Sequence, residues 1–355
     1  MEPLNEKTWE PRGIQEVFTI SPGKRLEARN RHPGKRPFIG ALDNSNGVVQ
    51  FVSDTNLSLD RNVLGVNYNG NGMGIGFYHP YECVFSDDVK RFHLRDAEDS
   101  EQLALFVKTL IEKQRGKFGY LYKFNARRMA ATRIMIPIDV DGKPDYAYMN
   151  SYVNEIGEGL LMRYRTILDN RIEGLRHIDV PALGEKEWQP VGLAQYFEFK
   201  RGRESNMAAL SGGNTPLVSA KSVNNGVKAF VKTCRDTVDG DCVTLNNDGD
   251  GGAGLAYYQP AAMALDTHVT ALIPKQQISG YAMLFIARCI SGLHGFFGHG
   301  LSISAKRATR VRVMLPVDDT GKPDFAYMEQ YAMNMMLAKY KQYLAYLDTR
   351  ADRAE

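Results

Sequence analysis

Residues 141–149 read DGKPDYAYM, and residues 320–328 read TGKPDFAYM. From 141 to 320 is a step of 179 residues, and that single step aligns the two halves nearly from end to end. Trp9 falls on Trp188, Pro37 on Pro216, and Asn46-Gly47 on Asn225-Gly226. Phe51-Val52 falls on Phe230-Val231, Asn67 on Asn246, Gly70 on Gly249 and Arg128 on Arg307. RIMIP (133–137) meets RVMLP (312–316). One offset kept over about 140 residues marks a tandem duplication rather than chance similarity.

Each copy has the same order of elements. WEPRGIQEVFTI or WQPVGLAQYFEF leads to a loop at Gly23 or Gly202. Short strand-like runs follow: RPFIGAL, GVVQFV and NVLGVNY, then PLVSA, GVKAFV and CVTLNN in the second copy. Asn-Gly and Gly-rich turns between them are the punctuation of antiparallel strands. A helix is expected over 100–116 and over 279–295, with Ser100 and Ser279 as N-caps and Gly116 and Gly295 at the ends. A longer helix closes each copy. Met149, Tyr152, Val153, Ile156, Leu160, Tyr164 and Ile167 recur at three and four residues, one apolar stripe. Met328, Tyr331, Met335, Lys339, Tyr343 and Tyr346 stand in equivalent register. The expected organisation is α+β: a first domain at 1–144, helix 145–172, linker 173–187, a second domain at 188–323 and helix 324–355. Either each helix packs on its own domain, or the two stripes pair as an antiparallel spacer. The second arrangement suits a long, repetitive, roughly two-fold ligand such as double-stranded DNA.

Composition narrows the function classes. Among 355 residues, 44 Lys and Arg oppose 41 Asp and Glu, so any basic surface is local. No apolar run is long enough for a membrane span, and the first residues lack the order of a signal peptide. Cys83, Cys234, Cys242 and Cys289 form no CxxC pair, which argues against zinc and disulfides and for the cytoplasm. NGNGMGIG (69–76) and GDGGAG (249–254) resemble nucleotide loops, but FYHPYE and LAYYQP follow them instead of a helix. They read as strand-to-strand turns. A loose Asp179…Glu198-Phe199-Lys200 has no echo in the first copy, and no Pro-Pro of a base methyltransferase occurs. No catalytic, metal or cofactor set is expected in this chain.

The local charge is more informative. KRLEARNRHPGKR (24–36) holds six Lys and Arg against one Glu, and KRGRES (200–205) is its basic counterpart. A solvated loop and a phosphate-contacting loop both fit such a run. Lys24, Arg25, Arg29, Arg31, Lys200, Arg201 and Arg203 are the candidates, with Arg128 and Arg307 before the RxMxP strand. Asn44, Asn46, Asn67, Asn69, Lys221, Asn224, Asn225 and Asn246 lie in or beside polar turns. Asn pairs with adenine edges and Lys with guanine, although Asn-Gly is also a common hairpin turn. The frames match between copies while these loops differ, so the expected target is asymmetric and bipartite.

The pattern resembles the DNA-specificity subunits of Type I restriction-modification systems, and more closely the shorter BcgI-type (Type IIB) ones. The residues that carry the likeness are WEPRGIQEVFTISPGKR and WQPVGLAQYFEFKRGR, PFIGALDNSNGVVQFV and PLVSAKSVNNGVKAFV. NVLGVNYNGNGMGIGFYHP, VTLNNDGDGGAGLAYYQP and the paired PxDxxGKPDxAYM segments complete it. RIMIPIDVDGKPD stands where Type I subunits carry a Leu-Pro-Pro-Leu-like entry to longer helices, which favours the BcgI-type branch. The resemblance implies two target-recognition domains and a non-catalytic chain. It implies docking of a methyltransferase, or fused methyltransferase-endonuclease, through the helices, with S-adenosylmethionine and Mg²⁺ in that partner. A two-domain RNA-binding protein and a stand-alone enzyme with an unrecognised site are the alternatives.

Overall fold

The computed structural model describes residues 2–70, 72–118, 123–205, 210–232, 234–248, 252–297, 302–303 and 305–351. They form two units, Met1–Tyr164 and Arg165–Glu355. In the first, β1 (Trp9–Gly13), α1 (Ile14–Val17) and β2 (Phe18–Pro22) precede β3 (Pro33–Ile39), β4 (Val48–Val52) and β5 (Val63–Asn67). Then come β6 (Gly76–His79), β7 (Val84–Phe85), β8 (Val89–Leu94), α2 (Glu101–Glu112), α3 (Ala126–Ala131), β9 (Arg133–Pro137) and α4 (Tyr146–Glu173), whose residues from Arg165 onward belong to the second unit. The second repeats the order: β10 (Trp188–Gly192), β11 (Phe197–Arg201), β12 (Gly212–Val218), β13 (Val227–Val231), β14 (Cys242–Asn246) and β15 (Ala256–Gln259). It closes with β16 (Ala264–Leu265), β17 (Val269–Pro274), α5 (Gly280–Ser291), α6 (Ala305–Ala308), β18 (Arg312–Pro316) and α7 (Phe325–Ala351).

Among the described residues each unit has three sheets in the same order. The four-stranded sheets run β2-β8-β5-β6 and β11-β17-β14-β15, antiparallel throughout. The three-stranded sheets, β4-β3-β7 and β13-β12-β16, each include one parallel pair. The two-stranded sheets join the opening and the end of each copy, β1 with β9 and β10 with β18. β5 and β14 are buried at all five positions because alternate residues face two cores. Leu64 and Val66 pack with α2 residues Leu103, Phe106, Val107 and Leu110. On the other side, Val63 joins Ile39, Cys83 and Phe85. Burying each large apolar side chain of α2 stabilises by about 1.5–3 kcal/mol.

The nine-residue segment that decides the alignment is a helix-entry device. Asp139 Oδ1 accepts from the Asp141 and Lys143 amides at 2.9 Å, closing a turn at Gly142, whose φ of 73° favours glycine. Asp145 then accepts from the Tyr148 amide at 2.9 Å and pairs with Lys7 at 2.8 Å. Asp318, Gly321, Asp324 and Lys186 repeat all of this, with Lys186 to Asp324 at 2.7 Å. Trp9 stacks on Phe106 at 6.1 Å, and Trp188 on Phe285 at 6.0 Å.

Ser100 and Ser279 cap α2 and α5, each accepting an amide at 3.2 Å. The helix ends differ from the expectation. α2 stops at Glu112 and α5 at Ser291, so Gly116 and Gly295 lie beyond them. Gly116 sits in a short 3₁₀ turn, Arg115–Lys117, and Gly295 takes a φ of 98° past the end of α5. The Gly-rich segment after β5 is the strand-to-strand turn, closed by Gly74 N–H to Asn67 O at 2.7 Å. Residues 71 and 249–251 of the two Gly-rich loops lie outside the described residues, as do 352–355 of the last helix and the side chain of Lys306.

Met149 and Met328 are fully buried in their own units. Farther along α4, Ile156, Leu160, Leu161, Met162, Tyr164 and Ile167 are exposed, as are Met335, Tyr343 and Tyr346 on α7. Within the second unit, Arg165 donates to Asp348 at 2.6 Å and Arg171 to Tyr340 at 3.0 Å. Among the described residues no helix is long and apolar enough to cross a membrane.

Candidate nucleic-acid interface

The polar turn of each copy is a left-handed corner. Ser45, Asn46 and Gly47 have φ of 50°, 52° and 71°, and Asn224, Asn225 and Gly226 have 55°, 53° and 77°. Consecutive left-handed residues are costly outside glycine, so other contacts must hold them. Asn46 Nδ2 donates to Tyr81 Oη at 2.8 Å and Tyr78 O at 3.4 Å. Asn225 Nδ2 donates to Tyr258 O at 3.0 Å, and Gln259 returns a bond to Asn225 O at 2.9 Å. From below, buried Asn67 donates to Leu42 O at 2.6 Å, and buried Asn246 to Lys221 O at 3.0 Å.

That geometry bears on four candidates. Asn67 and Asn246 are 1% and 0% exposed and cannot meet a base edge. They looked like turn residues because they end a strand, and its burial on both faces has no signature in a five-residue run. Asn46 and Asn225 are exposed, and their Nδ2 groups donate within the corner. What each corner presents is Asp43, Asn44 and Ser45, or Ser222, Val223 and Asn224, all exposed. Val223 is 55% exposed and was missed, since an apolar residue in a polar turn carries no sequence signal for contact. Lys221 is half-buried beside this corner, its carbonyl also accepting from Tyr257 Oη at 3.2 Å. Asn69 donates to Asp88 at 2.9 Å.

The cations divide similarly. Lys24 and Arg25 are exposed, and Arg29 is exposed but paired with Glu27 at 2.8 Å. Arg31 lies 4.2 Å over the Phe38 ring and donates to Leu26 O at 3.0 Å. In the second copy Leu210 takes that position and packs near Leu217, the counterpart of Phe38. Arg31 therefore covers the three-stranded sheet rather than standing free. Arg128 and Arg307 brace their own loops, donating to Lys123 O at 2.7 Å and Ser302 O at 2.6 Å. Lys200 bonds Asp236 at 3.1 Å and thereby holds that carboxyl below its usual range. Arg201 and Arg203 are exposed and converge with Arg235, which the sequence reading missed because its neighbours Cys234 and Asp236 give no basic run.

Two histidines of the first unit differ from their counterparts. His79 is fully buried beside Gly65, and burial pushes it down to about 4, so it is neutral. Thr244 and Gln259 stand at those two places in the second unit and bond each other at 3.1 Å. His93 bonds Asp99 at 2.6 Å and Asp60 at 3.1 Å, and these bonds raise it to about 9 despite partial burial. Among the described residues no group of His, Cys, Asp and Glu could hold a metal ion.

Comparison with known proteins gives the family. The Type I restriction modification DNA specificity domain matches residues 6–162 and again residues 185–342. The chain is 47% identical over 150 residues to the specificity subunit S.BcgI of a Type II restriction enzyme from Heyndrickxia coagulans. That alignment covers 42% of this chain and 44% of the relative, so it spans less than half of the relative's length. A Type I restriction-modification S subunit from M. genitalium is similar in fold, with a TM-score of 0.50 and 16% identity. The superposition covers 99% of this chain and 96% of that one.

Proposed function

Since the chain belongs to the Type I restriction modification DNA specificity family and carries two copies of its domain, we propose that it binds duplex DNA and reads an asymmetric bipartite target. Each unit contacts one half-site. The observation that carries this reading is a common corner with unlike tips: Asp43-Asn44-Ser45 on one and Ser222-Val223-Asn224 on the other, braced by the same buried Asn. Equal frames with unequal exposed residues suit two different base sequences. Asp accepts from cytosine, Asn pairs with adenine, and an apolar side chain meets the thymine methyl.

Catalysis resides in a methyltransferase or methyltransferase-endonuclease partner, which also brings S-adenosylmethionine and Mg²⁺. The exposed apolar residues of α4 and α7 are the docking surface for it. The two helices pair antiparallel, as the opposite order of Arg165–Asp348 and Arg171–Tyr340 favours. Selection of binders from a mixed pool of random DNA duplexes and random RNA tests the reading. The expected product is two fixed sequences separated by a constant gap, with no methyl transfer by the pure chain. Preferential recovery of RNA, a single undivided site, or methylation by the chain alone would overturn it.

A further inference from the structure

The geometry points to a phosphodiester clamp on the second unit, built from Arg201, Arg203 and Arg235. These three side chains line one open cleft of about 500 Å³ together with Gly202 and Thr267. The backbone beneath them is fixed. Gly202 N–H donates to Val269 O at 2.9 Å, and the Arg203 and Glu204 amides donate to Leu265 O at 3.0 and 2.9 Å. A Cβ at Gly202 would come within 2.1 Å of Asp266 O, so only glycine lets this strand end lie so close.

The nearby carboxylates are already committed. Buried Glu204 accepts from the Arg235 backbone amide. Buried Asp266 accepts from the His268 amide at 3.1 Å and the Thr267 hydroxyl at 3.2 Å. Asp236 pairs with Lys200. Arg201 gives its Nε to Thr267 O at 2.8 Å, which orients the guanidinium. Among the described residues none of the three arginines makes an ion pair with a carboxylate. Asp236 lies within electrostatic reach of Arg203, while among the described residues the guanidinium forks stay unpaired by any direct carboxylate contact and match phosphate oxygens in pairs.

The frame does not need these arginines. In the first unit a Cβ at Gly23 would lie 1.9 Å from Ser86 O, the same close approach. Yet Pro22, Lys24, Asn56 and Asp87 stand where the second unit has Arg201, Arg203, Arg235 and Thr267. The duplication kept the fold of this corner and changed its charge in one copy. The clamp therefore anchors the second unit to one backbone phosphate beside its half-site, an anchor the first unit lacks.

This inference rests on the duplex-binding reading, and the experiment separates the two. The full chain is titrated with its selected duplex over a range of salt, beside the Arg201→Gln, Arg203→Gln, Arg235→Gln triple variant. One lost phosphate contact should shrink the slope of log affinity against log salt by about 1 and weaken binding roughly ten-fold or more. A scan of single uncharged methylphosphonate linkages should find one position, beside the second half-site, that weakens the wild type and leaves the variant unaffected. All three substitutions are exposed, so an unchanged thermal midpoint shows that the fold is retained. If the wild type binds no duplex, the functional reading fails. If it binds and the variant keeps the same slope and the same linkage map, the clamp fails. A third arm titrates inorganic phosphate: binding that needs the arginines, with duplex affinity unchanged in the variant, would assign the cleft to free phosphate and also overturn the clamp.

Discussion

His93 sits between Asp60 and Asp99, and Arg91 approaches Asp60 at 2.8 Å, so the Asp60 carboxylate is shared by two cations. Ile273 and Ala271 occupy the places of His93 and Arg91 in the second unit, where the same strand uses apolar packing instead. His93 is raised to about 9 from an ordinary 6.5 by its carboxylate bonds. A raised histidine stabilises fully below its unfolded value and loses that contribution as pH climbs through the folded one. His93→Gln should therefore lower the thermal midpoint most at pH 6, with the gap from wild type narrowing between about pH 6.5 and pH 9 and closing above it. A gap independent of pH would mean that the ring acts only by packing. Residues of this kind were not legible beforehand. His93 alternates with apolar neighbours in an ordinary strand pattern, and its partners arrive from 33 and 6 residues away.

At the scale of elements, much was legible and the failures have physical causes. The strands after Gly23 and Gly202, the Ser caps and the long helices follow from local pattern. The β1–β9 and β10–β18 pairs do not, because Trp9 meets Pro137 across more than a hundred residues that no local period reports. The polar turn was legible at Asn46-Gly47 and Asn225-Gly226, but the bonds that tie those two amides to Tyr78, Tyr81 and Tyr258 were not. The corner now gives a sharper expectation. Replacing Asp43→Ser, Asn44→Val and Ser45→Asn together imports the tip of the second unit onto a frame that already tolerates it. The thermal midpoint should stay near wild type while base preference changes at the first half-site alone. A change at both half-sites, or none, would show that the tips do not read sequence. Asn67→Ala behaves oppositely: it leaves the Leu42 carbonyl without its donor, costing about 1–3 kcal/mol of stability.

For the whole molecule, the proposal makes the helices a ruler. α4 has 28 residues, about 42 Å at ~1.5 Å per residue, comparable to one turn of duplex at about 34–36 Å. Four residues inserted beside Asn154, close to one helical turn, would keep the apolar stripe nearly in register and add about 6 Å. At ~3.4 Å per base pair the preferred gap between half-sites should widen by one or two base pairs, with both half-sites unchanged. Repeating the duplex selection with the insertion variant measures this directly. An unchanged gap in a folded, binding variant would show that the spacing is set elsewhere.

The left-handed corners also bear on chemical ageing. An Asn-Gly pair in an unfolded chain is prone to lose ammonia, because the glycine nitrogen can attack the asparagine side chain and glycine does not obstruct the ring that forms. In both corners that route is closed. The Gly47 and Gly226 amides donate to Asn44 O at 2.9 Å and Val223 O at 3.1 Å, while the Asn46 and Asn225 side chains are tied to tyrosine groups. Folding thus shields the Asn-Gly pair at each corner. Time spent unfolded does not: an aspartate left at Asn46 or Asn225 could no longer donate to the carbonyl of Tyr78 or Tyr258. The history of a preparation would then be written, as single lost amides, at the base of the very tips that we propose read DNA.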